Sequence, residues 1–125
     1  MNIIVTPSAP KAIGPYSQGV VKSGFLFTSG QIPLVPDDMT FLNGTIEEQT
    51  KRVLENLNAV LVAAGTNWNR VVKTTVFMID LADFGKMNVV YEQYLGDARP
   101  ARSTVQVAAL PRGAKIEIEL IAEAG

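Results

Sequence analysis

The densest chemistry in the sequence lies between Ala98 and Ile116, where Arg99, Arg102, Arg112 and Lys115 occur without one acidic residue among them. The chain as a whole is balanced, with 11 basic and 12 acidic residues, so this segment is a local anion-attracting region. A guanidinium grips a carboxylate through two parallel hydrogen bonds. Just beyond, Glu117 and Glu119 offer carboxylates that can orient a water or shuttle a proton. Together these groups suit a small α-keto, α-imino or related organic acid. Three further places hold candidates. Tyr16 sits in a loop punctuated by Gly14 and Pro15, Asn88 falls on the inward stripe of a helix, and Ser29-Gly30-Gln31 could present backbone N–H groups where Gly permits close approach.

What is missing narrows the chemistry as much as what is present. The sequence has no His and no Cys, which removes the ordinary ligands of zinc, haem and iron–sulfur clusters, the cysteine nucleophile and every Ser-His or Cys-His dyad. Asp37-Asp38 lacks enough ligands for calcium. No metal and no cofactor is expected, and structural disulfides are excluded, compatible with a reducing compartment.

Residues 1–125 are the size of one domain. They are 47% apolar and only 18% charged, below the ~25% charge usual for soluble domains. No apolar run approaches the ~20 residues of a membrane span, and Met1 to Pro10 lacks the pattern of a signal peptide. A soluble, cytoplasmic protein without membrane partner is expected. With a net charge of −1, general attraction to nucleic acid is not. So charge-poor a surface suits an oligomer interface.

The elements that must position the candidates follow in order. Ile3 to Val5 reads as a short strand before Pro7. Gly19–Lys22 and Phe25–Gln31 flank Ser23-Gly24, a two-residue hairpin signal. Pro33 to Asn43 is a loop. Thr45 with Glu48 forms a capping box, and Ile46, Gln49, Val53, Leu57, Val60, Leu61 and Ala64 recur at helical spacing until Gly65. Val71–Ile79 reads as a strand covered on both faces, and Asp83 is placed to cap a second helix with Phe84, Met87, Tyr91 and Leu95 inward. Ser103–Ala108 and Lys115–Ala122 alternate with period two. The pattern β-ββ-α-β-α-ββ predicts an α+β domain, one mixed sheet with two helices on a single face. Its other face would lack a cover, again pointing to assembly.

If the last two strands form an antiparallel hairpin turning near Leu110-Pro111, Arg102 lies opposite Glu117 or Glu119 and the polar faces coincide. From pattern alone, the ordinary reading of that pairing is a cross-strand ion pair on a solvated face, worth roughly 0.2–1 kcal/mol. Asn88 and Tyr16 likewise read most simply as packing residues, and Ser29-Gly30-Gln31 as a tight bend.

Longer blocks add a resemblance. Pro100-Ala-Arg-Ser-Thr-Val105, Leu110-Pro and Ile116-Glu-Ile-Glu-Leu-Ile-Ala122 look like the signature of the Rid family (RidA/YjgF type). Ile13-Gly-Pro-Tyr-Ser-Gln18, Thr28-Ser-Gly-Gln-Ile-Pro33, Val72-Lys-Thr-Thr-Val-Phe77 and Asn88 ahead of Tyr91-Glu agree, in the family's order. The similarity spans nearly the whole chain. It implies a chorismate-mutase-like fold in a homotrimer, its sheets facing inward as a barrel with sites in three inter-subunit clefts. The implied activity is cofactor-free hydrolysis of 2-iminobutanoate, 2-iminopropanoate and enamines such as 2-aminoacrylate to 2-oxo acids and ammonia, removing reactive products of pyridoxal-phosphate-dependent dehydratases. Carried over by residue, Arg102 would bind the substrate carboxylate, Glu117 would hold and activate water, and backbone groups of Ser103 and Thr104 would contact the ligand. Tyr16, Ser29, Gly30 and Asn88 would line the cleft, some from a neighbouring subunit, with Glu119 supporting. The pattern departs at two positions: Thr104 stands where several members have Cys, and Arg99, after a short Gly96-Asp-Ala, where some place an aromatic. A non-catalytic protein of the same fold that binds a 2-oxo acid, or one with a regulatory or chaperone-like role, is the alternative.

Overall fold

A computed structural model describes residues 1–125. The elements run β1 (Asn2–Ile4), β2 (Gly19–Lys22), β3 (Phe25–Thr28), α1 (Ile46–Ala63), β4 (Val71–Met78), α2 (Phe84–Leu95), β5 (Ala101–Gln106) and β6 (Ile116–Glu123). The six strands form one sheet in the order β1-β2-β3-β6-β4-β5. Only β4 and β5 are parallel, so the sheet is mixed as expected.

Local signals set most boundaries. Ser23 and Gly24 both take positive φ, 54° and 80°, and Lys22 pairs Phe25, the geometry of a two-residue hairpin loop whose twist matches its strands. The capping box of α1 is complete: Glu48 N donates to Thr45 Oγ1 at 3.1 Å, and Thr45 N donates to Glu48 Oε1 at 2.9 Å. The cap of α2 differs from expectation. Asp83 makes no side-chain cap bond. A single 3-10 turn, Leu81–Asp83, precedes the helix, and it is Asp80 that caps this turn, accepting from Ala82 N.

The core lies between one sheet face and the helices. Val53, Leu54, Leu57, Val60 and Leu61 of α1 and Met87 of α2 meet Val76, Met78, Ile116 and Ile118 of the sheet, all fully buried. Each such side chain contributes about 1.5–3 kcal/mol. Tyr91 and Leu95 complete the inward stripe of α2, whereas Phe84 at its start is partly exposed. On the opposite face Phe25, Phe27 and Val105 remain exposed, the uncovered face the element order predicts.

The strand pairing corrects one expectation. The last two strands do not form a hairpin: β4 lies between them, pairing β5 in parallel and β6 antiparallel. The reason is the helix between β4 and β5. A strand–helix–strand unit returns its second strand parallel to the first, so β5 takes the outer flank of β4 and β6 takes the inner. Thr74 pairs with both Arg102 and Leu120, and Phe77 with both Val105 and Glu117. Since side chains alternate along a strand, Arg102 shares the helix face with Thr74 and Leu120. Glu117 shares the open face with Phe77 and Val105. The two polar faces of β5 and β6 therefore do not coincide.

Candidate functional site

On the helix face Arg102 is held from several sides. Its Nη1 donates to Asn88 Oδ1 at 2.7 Å, and its guanidinium lies 4.7 Å from the Tyr91 ring centroid and 5.5 Å from that of Phe84. Stacking and one fixed hydrogen bond orient the planar fork and leave its other N–H groups free for a ligand. Tyr91 is itself fixed, its hydroxyl bonded to that of Thr74 at 2.7 Å. The polar Asn88 on the inward stripe thus has a partner in Arg102. Arg102, Asn88 and Tyr91 border a groove of about 350 Å³.

On the open face a second pocket, about 540 Å³, brings together Tyr16, Ser29, Gly30 and Glu117, with Gln31 and Arg112 beside them. Strand β3 ends at Thr28, earlier than alternation alone predicts, and the chain crosses over Glu117. A Cβ on Gly30 would stand 2.0 Å from Glu117 Oε2. Here the glycine makes room for the Glu117 carboxylate by close approach, not by turning. The crossing segment is tied at each end: Ser29 donates through its backbone to Gln18 O and through its hydroxyl to Ser17 O, and Gln31 exchanges both backbone bonds with Ile118. The buried Gln18 amide anchors the loop carrying Tyr16, bonding Thr6 N–H and the carbonyls of Thr6, Ala9 and Pro10. The Tyr16 hydroxyl accepts from Ile13 N at 3.3 Å.

Half-burial, and then the nearby charge of Glu119, push the Glu117 carboxyl above its ordinary pKa. A carboxylate moved upward toward neutrality is a better proton acceptor than an exposed one.

The candidates thus separate into two groups. Tyr16, Ser29, Gly30 and Glu117 converge; Asn88 and Arg102 converge elsewhere; Arg102 meets neither Glu117 nor Glu119. The cross-strand ion pair is not formed either, since the one ion pair of the chain is Arg52–Glu55. Ser103 and Thr104 alternate on edge strand β5: Ser103 Oγ accepts from Lys73 Nζ at 2.9 Å, and the Thr104 hydroxyl is buried without a partner. The cationic segment is likewise divided. Arg99 joins Arg102, Arg112 joins Glu117, and Lys115 spends its charge on the Gly44 carbonyl at 2.7 Å. Sequence reasoning missed Gln18 as anchor and Tyr91 as the stacking partner of Arg102, although Tyr91 sits one turn beyond Asn88 on the same stripe.

A six-stranded mixed sheet under two helices, with an arginine-bearing groove on one face and a glutamate-bearing pocket on the other, defines a class of small α+β proteins. Residues 6–124 match the family described as Endoribonuclease L-PSP, and the chain belongs to that family, the Rid family its sequence blocks resemble. The 2-iminobutanoate/2-iminopropanoate deaminase of Mus musculus is 47% identical over 99% of this chain and 92% of its own. Among solved structures, the Rid-family protein of unknown function YyfA from Yersinia pestis is 47% identical, with a TM-score of 0.96 over 98% of both chains. Escherichia coli TdcF with bound serine is 44% identical, with a TM-score of 0.95 over the whole of both chains. No helix of this chain is long and apolar enough to cross a membrane.

Proposed function

We propose that this protein hydrolyses small 2-imino acids and their enamine tautomers, among them 2-iminopropanoate, 2-iminobutanoate and 2-aminoacrylate, to 2-oxo acids and ammonia. The observation that carries this is the division of the site. Arg102 is shaped to grip a carboxylate and Glu117 to work on a proton, yet they occupy opposite faces of one sheet. A single molecule of substrate meets both only if a second copy of the chain supplies the other half, as in a homotrimer with clefts between subunits. The exposed aromatic face and the free edge of β5 are surfaces such an assembly would cover.

Arg102 binds the carboxylate, and the backbone of Ser103 and Thr104 runs alongside it. Glu117 accepts a proton from water as the water oxygen attacks the iminium carbon. Glu117 returns that proton to the carbinolamine nitrogen, the C–N bond breaks, and the regenerated carboxylate takes the remaining hydroxyl proton as the C=O bond forms, passing it to the departing ammonia or to solvent. Water thereby becomes the new carbonyl oxygen and ammonia leaves. An iminium carbon is already electrophilic, so holding it against one water removes much of the barrier, and a placed acid–base group adds about 10²–10⁴. No resident cofactor is required. The mouse deaminase supports the reaction class, and the serine of TdcF supports a cleft sized for a small amino or imino acid. Such imines arise from dehydratases, and a cytoplasmic location beside such enzymes is part of this reading.

The test is ammonia release from imines generated in situ by an amino-acid oxidase. Wild-type protein accelerates it, and Arg102→Ala abolishes the acceleration while keeping the trimeric solution mass. An Arg102→Ala protein as active as wild type overturns the assignment. Tight 2-oxo-acid binding without turnover would instead make the protein a ligand sensor of the same fold.

A further inference from the structure

The groove that holds Arg102 holds a second guanidinium. Arg99 lies at the end of α2, where Gly96 turns the chain with φ 62°. Its Nη1 donates to Gly96 O at 2.7 Å and Ala98 O at 2.8 Å. These bonds occupy one of its three nitrogens and pin the head group, leaving the remaining N–H groups without an acceptor in the chain. Arg102 is pinned in the same way, through one nitrogen, by Asn88. Neither cation is neutralised: the only acid lining the groove, Glu92, lies within 4.0 Å of neither guanidinium, and the chain's one ion pair is elsewhere. Both cations border one groove of about 350 Å³, so an anion with two charged ends lying in it has a guanidinium for each end.

We infer that the site prefers 2-imino acids carrying a second carboxylate, four- or five-carbon dicarboxylic imines of the kind formed from acidic amino acids. Arg102 takes the carboxylate next to the imine, as in the reaction above, on which this inference rests. Arg99 takes the distal carboxylate through its free N–H groups. A substrate with a short apolar side chain leaves Arg99 unanswered and gains only the Arg102 contact. Arg99 also closes the C-terminus of α2, and that role alone would make it indifferent to the substrate's side chain.

The measurement is the ratio of kcat/KM for the imines of glutamate and of alanine, each generated in situ, with wild-type and Arg99→Gln protein. The ratio is expected to fall about tenfold in Arg99→Gln, mainly through KM for the dicarboxylic imine, since one charge-assisted hydrogen-bond pair is lost. Arg99→Lys, which keeps the charge, should recover part of the preference. An unchanged ratio, with both imines affected alike and a lowered melting temperature, leaves Arg99 as a helix cap and overturns the inference. If neither imine is turned over, the deaminase reading fails, and the inference is then decided by calorimetry with stable ligands. Wild type should bind 2-oxoglutarate more tightly than pyruvate, and Arg99→Gln should lose the difference; equal binding of the two by wild type overturns it.

Discussion

The two faces of the sheet hold their functional side chains by opposite means. On the helix face Arg102 is oriented by addition: an amide oxygen from Asn88 and the rings of Tyr91 and Phe84 surround it. On the open face Glu117 is oriented by subtraction, since the missing side chain of Gly30 lets the carboxylate lie under the backbone. A binding cation needs a fixed direction, which packing and hydrogen bonds supply. A carboxylate that moves protons needs an altered affinity instead, which partial burial and Glu119 supply. In the proposed reaction each face would supply one half, the carboxylate grip or the proton transfer, and neither would supply both.

The largest effect expected from that division is a rescue. Arg102→Ala and Glu117→Gln should each lower kcat/KM by about 100-fold or more. If each site draws its arginine from one copy and its glutamate from another, unfolding the two variants together and refolding them at equal ratio reassembles intact sites. With random mixing about a quarter of the sites are whole. Ammonia release near a quarter of the wild-type rate would establish the division between copies. Activity no higher than that of the separate variants would show that one chain carries both groups.

Gly30→Ala is the next probe and strikes only the open face. The new methyl group meets Glu117 Oε2, Cδ and Cγ, all atoms of one flexible side chain, so the carboxylate swings aside while the backbone stays and the fold should survive. Displacing the carboxylate by about an ångström should lower kcat roughly 10–100-fold. An active Gly30→Ala enzyme would remove Glu117 from the mechanism.

The sequence made each half of this arrangement legible and hid the relation between them. Alternation along β5 and β6 correctly places Arg102 and Thr104 on one face of their strand and Glu117 and Glu119 on one face of theirs. Parity within a strand is local, being fixed by the period of two. Which faces coincide depends on pairing partners, and the insertion of β4 between the two strands is a long-range event that neighbouring residues do not encode. For the same reason the hairpin at Ser23-Gly24 and the capping box at Thr45 were readable, whereas the contact of Gly30 with Glu117, 87 positions apart in sequence, was not. The family blocks name Arg102 and Glu117 together, but a row of sequence blocks carries no information about which sheet face each residue occupies.

On the helix face the matching probe is Asn88→Ala. It removes the acceptor at 2.7 Å that aims Arg102 while leaving the aromatic stack. The guanidinium keeps its charge and loses its direction. KM should rise about tenfold with kcat less affected, the loss of one hydrogen bond to a charged group. An equal fall in kcat would mean that Arg102 also acts on the reacting carbon.

The smallest effect separates the two causes acting on Glu117. To take a proton from water it must be ionised, so kcat/KM should decline as pH falls through its raised pKa. That decline begins at a higher pH than an ordinary glutamate would give, because burial disfavours the charged form and Glu119 adds a second negative charge on the same strand face. Glu119→Gln removes the charge and keeps the shape. The Glu117 pKa should then fall and the acid limb move to lower pH, leaving the rate at neutral pH nearly unchanged. Because burial is the larger cause, the limb should stop short of the ordinary glutamate position. An acid limb that does not move would assign the titration to another group, and one that moves all the way would mean that the pocket around Glu117 is open to water.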